Sequence, residues 1–132
     1  MEYSLIFDEK ELLKLISHCS FALKHVTNQT RKLCLAAVRQ DGLALQYIRK
    51  QTHEICLEAV KQNGLALQYV HKQTKEICLT AVKQNRYALM FVNVENPDSY
   101  PDICVEALKQ DIWSSIYLQD KEVWERLNPS FK

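Results

Sequence analysis

The sequence predicts an all-α fold: an α-solenoid of about five 22-residue helix-turn-helix repeats with a C-terminal capping helix. Three observations predict it. Leu33 to Glu54, LCLAAVRQDGLALQYIRKQTHE, is followed directly by ICLEAVKQNGLALQYVHKQTKE, and self-similarity at a fixed period marks a repeat architecture. Only two glycines and three prolines punctuate 132 residues, too few for the turns of an all-β chain. At 47% hydrophobic and 25% charged residues, the chain can bury a core. A single α-helical repeat domain over 1–132 is expected, with a lead-in over 1–10, repeats over 11–32, 33–54, 55–76, 77–102 and 103–119, and a cap over 120–132.

Asp8 followed by Glu11 forms a capping box, with Phe7 and Leu12 spaced as a hydrophobic staple, so the first helix should begin near Glu9. Glu11 to Lys32 is a divergent first copy, carrying Leu15, Ile16, Phe21, Ala22, Leu23 and Val26 where the next unit has Ala37, Val38, Leu43, Ala44, Leu45 and Ile48. In Ile55 to Asn63, Ile55, Cys56, Leu57, Ala59 and Val60 cover more than half the circumference of a helix and leave Glu58, Lys61 and Gln62 as its wet stripe. Leu65 to Lys72 reads as the second helix, with Gln68, His71 and Lys72 outside. Thr30, Thr52 and Thr74 recur where they can cap first helices; Asp41, Asn63, Asn85 and Asp111 recur where they can cap second ones. A leucine-rich repeat has a similar period, but Leu79, Val82 and Asn85 fit its L-x-x-L-x-L-x-x-N pattern without the required L-x-L step. The fourth copy gains four residues in NVENPDSYPD, where Pro97 and Pro101 mark a longer loop. Asp120 can cap a last helix whose Val123, Trp124 and Leu127 close the open end of the stack. Helices this short are unstable alone, so stability must come from stacking.

Net charge is +1, from 17 Lys and Arg against 16 Asp and Glu, which argues against a dedicated nucleic-acid binder. The start, MEYSLIFDEK, does not read as a secretory signal, and no apolar run is long enough to span a bilayer. A cytoplasmic protein with no membrane contact is the expectation. Five cysteines without CxxC spacing fit a reducing compartment. Cys34, Cys56, Cys78 and Cys104 share one repeat position, where successive layers would hold them about 8 to 10 Å apart, too far for a disulfide or a shared zinc. Packing is their expected role. Cys19 stands where other copies have Asp or Asn; with His18 beside it and His25 six residues on, it offers metal-ligand chemistry, against the alternative of a partly buried thiol. His53 and His71 take positions held elsewhere by Lys, Arg or Asn and read as solvated. No catalytic motif, metal motif or cofactor signature is present in the sequence, so no catalysis, metal or cofactor is expected.

The candidate site is a surface ladder. Arg39, Lys61, Lys83 and Lys109 occupy one exposed position of successive first helices, with Gln40, Gln62, Gln84 and Gln110 beside them. Stacking makes this a basic ridge with a glutamine row, able to track carboxylates or phosphates unless nearby Glu54, Glu58, Glu76 and Glu106 dilute the field. The competing reading is a solvated face inherited from duplication. Tyr47 and Tyr69 could also present hydroxyls to a partner.

The unit C-L-x-A-V-K-Q-N-G-x-A-L-x-Y-V, present as Cys56 to Val70 and with small changes as Cys34 to Ile48 and Cys78 to Val92, resembles an uncharacterised helical repeat family. That family, a domain of unknown function, is common in giant DNA viruses and amoeba-associated bacteria and also occurs in protists. The resemblance covers Leu33 to Leu118. It implies an α-helical repeat protein, viral in one reading and then acting in a host cytoplasm, and it implies no catalytic residues. Arg86 and Ile112 replace the turn glycine of the pattern, so those two turns are where the geometry is in question. The expected function is a non-catalytic protein-protein interaction module, with self-association available through the Trp124 end. The alternative is a nucleic-acid-binding accessory using the ridge.

Overall fold

The computed structural model describes residues 2–3, 6–93 and 100–110. Five α-helices lie in this part: α1 (Glu9–His18), α2 (Arg31–Gln40), α3 (His53–Gln62), α4 (Lys75–Gln84) and α5 (Tyr100–Gln110). Between them stand four 3-10 helices, Ser20–His25, Gly42–Tyr47, Gly64–Tyr69 and Arg86–Phe91. No strand occurs among the described residues. The expected cap over 120–132, the second half of the fifth repeat and Trp124 lie outside them.

Helices α1 to α4 begin 22 residues apart because the same capping chemistry recurs there. Thr30, Thr52 and Thr74 accept from the backbone N–H of Leu33, Ile55 and Ile77 at 3.4, 3.3 and 3.2 Å. Asp8 does the same for Glu11 at 2.8 Å, which places the start of α1 at Glu9 as expected. At the other end one residue serves two helices. The N–H groups of Asp41, Asn63 and Asn85 close on the carbonyls of Ala37, Ala59 and Ala81, while their side chains accept from Leu43, Leu65 and Tyr87 and so start the following 3-10 helix. An extended backbone near φ −150° at all three makes the corner. Cys19 keeps that backbone in the first unit without a side-chain cap.

The second helix of each unit is tighter than expected. It is a 3-10 helix of six residues that ends at Tyr69 in the third unit, where an α-helix reaching Lys72 was expected. With three residues per turn, positions i, i+3 and i+6 fall in one column. Gly64, Leu67 and Val70 form the buried column, Ala66 and Tyr69 the flanking one, and Leu65 and Gln68 face outward. This explains why Leu65 is only half-buried although the α-helical reading put it in the core. Pro101, expected in the loop, sits in the first turn of α5, where its missing N–H leaves no helical bond unmade.

Consecutive α-helices pack on one another, as do consecutive 3-10 helices, and each 3-10 helix also packs on the α-helices of its own and the next unit. The core between these two rows repeats one set: Leu33, Cys34, Ala37, Val38 and Leu45; then Ile55, Cys56, Ala59, Val60 and Leu67; then Ile77, Cys78, Ala81, Val82 and Leu89. Ala37, Ala59 and Ala81 let the neighbouring backbone approach.

That approach explains the glycines. Neither has positive φ. A Cβ on Gly42 would lie 2.4 Å from the Ala59 carbonyl oxygen, and one on Gly64 would lie 2.3 Å from that of Ala81. The glycine thus makes room for the next layer and does not shape the turn. Consistent with this, Asn85 before Arg86 keeps φ −151° and ψ 114°, against −150° and 111° for Asn63 before Gly64.

Two stability outcomes follow from this packing. Leu67 is fully buried, so Leu67→Ala should lower the free energy of urea unfolding by about 2 to 5 kcal/mol. Gly42→Ala should destabilise by about 1 to 3 kcal/mol through overpacking. An ordinary helical glycine would instead gain about 0.5 to 1 kcal/mol on the same change, so the sign measured by denaturation separates the two roles.

Candidate interaction surface

Arg39, Lys61 and Lys83 are exposed at the ends of α2, α3 and α4, with Gln40, Gln62 and Gln84 exposed beside them. The side chains of Lys109 and Gln110 lie outside the described residues. The ladder is therefore present over three units, but much of it is already engaged. Arg39 Nε meets Glu58 Oε2 of the next unit at 3.3 Å. Gln62 Oε1 accepts the backbone N–H of Gly42 at 2.6 Å, and Gln84 Oε1 accepts that of Gly64 at 2.5 Å. The glutamine row reaches back to tie each unit to the one before it.

A second glutamine row, missed in the sequence reading, ties each unit forward. Gln29, Gln51 and Gln73 donate through Nε2 to the carbonyls of Tyr47, Tyr69 and Phe91 at 2.7, 2.7 and 2.8 Å. Their Oε1 atoms accept from the N–H groups of Arg49, His71 and Asn93 at 3.1, 2.9 and 2.7 Å. These backbone groups flank the end of each 3-10 helix and have no partner within it, so the preceding unit supplies one. The signal was present as a recurring Gln-Thr pair, Gln29-Thr30, Gln51-Thr52 and Gln73-Thr74, of which only the threonine had an evident task. At the first unit, which has no preceding glutamine, Glu2 takes the role. Its carboxylate accepts from the N–H of Thr27 at 3.0 Å and from the Thr27 hydroxyl.

Side-chain bridges follow the same period along the starts of the α-helices: the ion pairs of Arg31 with Glu54 at 2.5 Å and Lys75 with Asp102 at 2.9 Å, and between them His53 Nε2 against Glu76 Oε2 at 2.9 Å. The Arg31 hydrogen bond holds the Glu54 carboxyl below its usual range. All of these side chains are largely exposed, so the pairs fix register more than they stabilise.

The cysteine ladder is buried at Cys34, Cys56, Cys78 and Cys104, and all five thiols are free. Burial raises the Cys34 thiol above its ordinary value and pushes those of Cys56 and Cys78 up to about 11. They are protonated at neutral pH, which disfavours both nucleophilic attack and metal ligation. Cys56 and Cys78 place their sulfurs 3.4 and 3.5 Å from the Oε1 atoms of Gln51 and Gln73. Cys19 and His18 are exposed, whereas His25 is half-buried with its ring 5.2 Å from Tyr3 and 6.0 Å from Phe21. No group of three or more His, Cys, Asp and Glu able to hold a metal ion occurs among the described residues.

The 3-10 helices make the other surface. Phe21 and Tyr87 are 49% and 40% exposed and Met90 is 57% exposed, large values for apolar side chains. Leu43, Leu65, Tyr47, Tyr69 and Phe91 are half-buried in the same rows. Tyr47 packs edge-on against Phe21 at 5.4 Å, and Lys24 lies over the Phe21 ring at 5.5 Å. The hydroxyls of Tyr47 and Tyr69 bond to nothing among the described residues.

Two measurements test these assignments. Gln51→Ala removes both partners of the third unit's corner and should cost about 1 to 3 kcal/mol in urea unfolding, the penalty of backbone groups left unmatched. Gln68→Ala, which loses only a bond to Leu65 in its own helix, should change stability by about 0.5 kcal/mol or less. Maleimide at neutral pH should modify Cys19 fast and Cys34, Cys56, Cys78 and Cys104 only on unfolding; rapid labelling of Cys56 in the native protein would contradict its burial.

Comparison with known proteins gives one match. No curated protein and no solved structure matches the chain at a significant level. Among the described residues no helix is long and apolar enough to cross a membrane. Residues 52–95, a stretch of two repeat lengths opening on the Thr52 cap of α3, match a family model described as a domain of unknown function (DUF4116). A DUF4116 domain is thus found over the stretch that holds α3, α4 and the 3-10 helices that follow them.

Proposed function

We infer that the chain is an α-solenoid of about five 22-residue units, and that it serves as a non-catalytic module binding another protein. The observation that carries this reading is the row of stacked 3-10 helices, which repeats one exposed, half-apolar pattern from unit to unit. Equivalent residues of successive layers, Phe21, Leu43, Leu65 and Tyr87 in one row and His25, Tyr47, Tyr69 and Phe91 in another, give an extended surface. Surfaces of this kind are what stacked repeats offer to partners. A cytoplasmic location belongs to the same reading, because free buried thiols suit a reducing compartment. Where the resemblance to giant-virus proteins holds, that cytoplasm is a host's.

A nucleic-acid accessory role through Arg39, Lys61 and Lys83 is the weaker reading, since Glu58 takes up the charge of Arg39 and the adjacent Gln62 and Gln84 are spent on glycine N–H groups. Charge reversal at Lys61 and Lys83 together should leave protein binding intact. A salt-sensitive affinity for single- or double-stranded DNA that disappears in this double variant would favour the nucleic-acid role instead. For the protein role, affinity capture from the native cell followed by crosslinking mass spectrometry should link Lys24, Lys50 or Lys72 to a recurring protein. Capture of nucleic acid alone, or of nothing from a monomeric bait, would refute it.

A further inference from the structure

The charges of this chain are divided between its two halves. All of the acidic residues described in the α-helices and their caps, from Asp8, Glu9 and Glu11 to Glu54, Glu58, Glu76, Asp102 and Glu106, lie on one side of each unit's sequence. The 3-10 helices and the bends that follow them, residues 20–30, 42–52, 64–74 and 86–93, contain no Asp or Glu at all. They contain Lys24, Arg49, Lys50, Lys72 and Arg86, with His25 and His71. The nearest carboxylates are occupied. Asp41 caps Leu43, Glu2 holds Thr27, and Glu54, Glu76 and Asp102 pair with Arg31, His53 and Lys75. What remains in the second and third units is an acid-free strip that combines apolar rows with exposed cations.

We propose that this strip binds an acidic protein segment, with apolar anchors seated between the 3-10 helices Gly42–Tyr47 and Gly64–Tyr69 and carboxylates placed at Lys50 and Lys72. The proposal rests on the protein-binding reading above and names its site and partner class. Leu43 with Tyr47 and Leu65 with Tyr69 form the half-buried floor, and the unbonded tyrosine hydroxyls give it donors for a peptide backbone or a carboxylate. Lys50 follows Tyr47 by three residues, and Lys72 follows Tyr69 likewise, so each cation lies within about 10 Å of the floor along the chain. Lys50 and Lys72 are exposed; Lys50 lines one hollow with Arg31, His53 and Glu54, whose carboxylate Arg31 holds, and Lys72 lines the next with His53 and His71. Arg49 adds positive charge while its guanidinium holds the Val26 and Thr27 carbonyls at 2.6 and 2.7 Å.

At the first unit a carboxylate takes the place that Gln29 and Gln51 hold at the N–H groups of Arg49 and His71. Glu2 seats its carboxylate on Thr27, and the adjoining Tyr3 packs on His25, at the positions that Arg49 and Tyr47 hold one unit later. A protein segment fits the strip better than a nucleic acid, because the cations are few and Leu43 and Leu65 add aliphatic contact that a phosphate backbone does not use.

The test is to pan a phage-displayed random dodecapeptide library on the full chain and then measure the enriched peptides, fluorescein-labelled, by anisotropy. Enriched sequences should combine Asp or Glu with Leu, Phe or Tyr, and their affinity should fall as salt rises. Lys50→Glu with Lys72→Glu should weaken binding about tenfold or more, Leu65→Ser should weaken it as well, and Lys14→Glu on α1 should not. Circular dichroism of each variant separates lost binding from lost fold. Enrichment of peptides that are not acidic, or binding that survives the double reversal, would overturn this assignment and leave the protein-binding role standing. No enrichment at all, with binding instead to a labelled oligothymidylate, would overturn both.

Discussion

Everything in this structure depends on how the two short helices of each unit satisfy the backbone groups at their ends. A six-residue 3-10 helix makes few internal bonds and leaves most of its terminal N–H and C=O groups without partners. Water cannot reach them all once the next unit packs down. Glutamine amides solve the problem because one side chain both donates and accepts. Gln51 serves Tyr69 and His71 ahead of it, while Gln62 serves Gly42 behind. The junction between the second and third units is therefore tied from both directions, and the next junction repeats the arrangement through Gln73 and Gln84. Stability on this basis is a sum over neighbours, and no unit would stand by itself.

The ends of the array follow from the same requirement. One period before Gln29 the chain has Phe7, and Glu2 supplies the acceptor where a glutamine would otherwise stand. That unit also carries Ser20 in place of glycine, and Gln40 makes no bond to it comparable to those of Gln62 and Gln84. The first junction is accordingly held forward by Gln29 and is less constrained behind.

Much of the fold was legible in the sequence, because its signals are short-range. Threonine caps, Asp and Asn corners and the Leu-Cys-Ala-Val face all act within a few residues, and each reappears where the period puts it. The distinction between an α-helix and a 3-10 helix over Gly64 to Tyr69 was not legible, since six residues fit either period and only the next layer's backbone decides between them. The glutamines were misread for a related reason. Gln62 and Gln84 have the polarity of surface residues and were grouped with the basic ridge, yet their partners lie 20 residues away and become visible only when units are stacked. Arg39 likewise reads as a free cation until the fold brings Glu58 beside it. The cysteines were legible as packing, and their burial gives the reason: a small apolar side chain beside the forward glutamine.

The layers stand through the joints between them, and so those joints are what matter most. Hydrogen exchange measured by NMR at the amides of Gly42, Gly64, His71 and Asn93 addresses these joints directly, because each of these N–H groups is bonded to a glutamine of a neighbouring unit. Protection of these amides close to that of the α3 interior, lost together in a denaturant series, is the result expected of a stack held by glutamine side chains. Exchange as fast as that of an exposed bend would show that the glutamines do not hold the layers together.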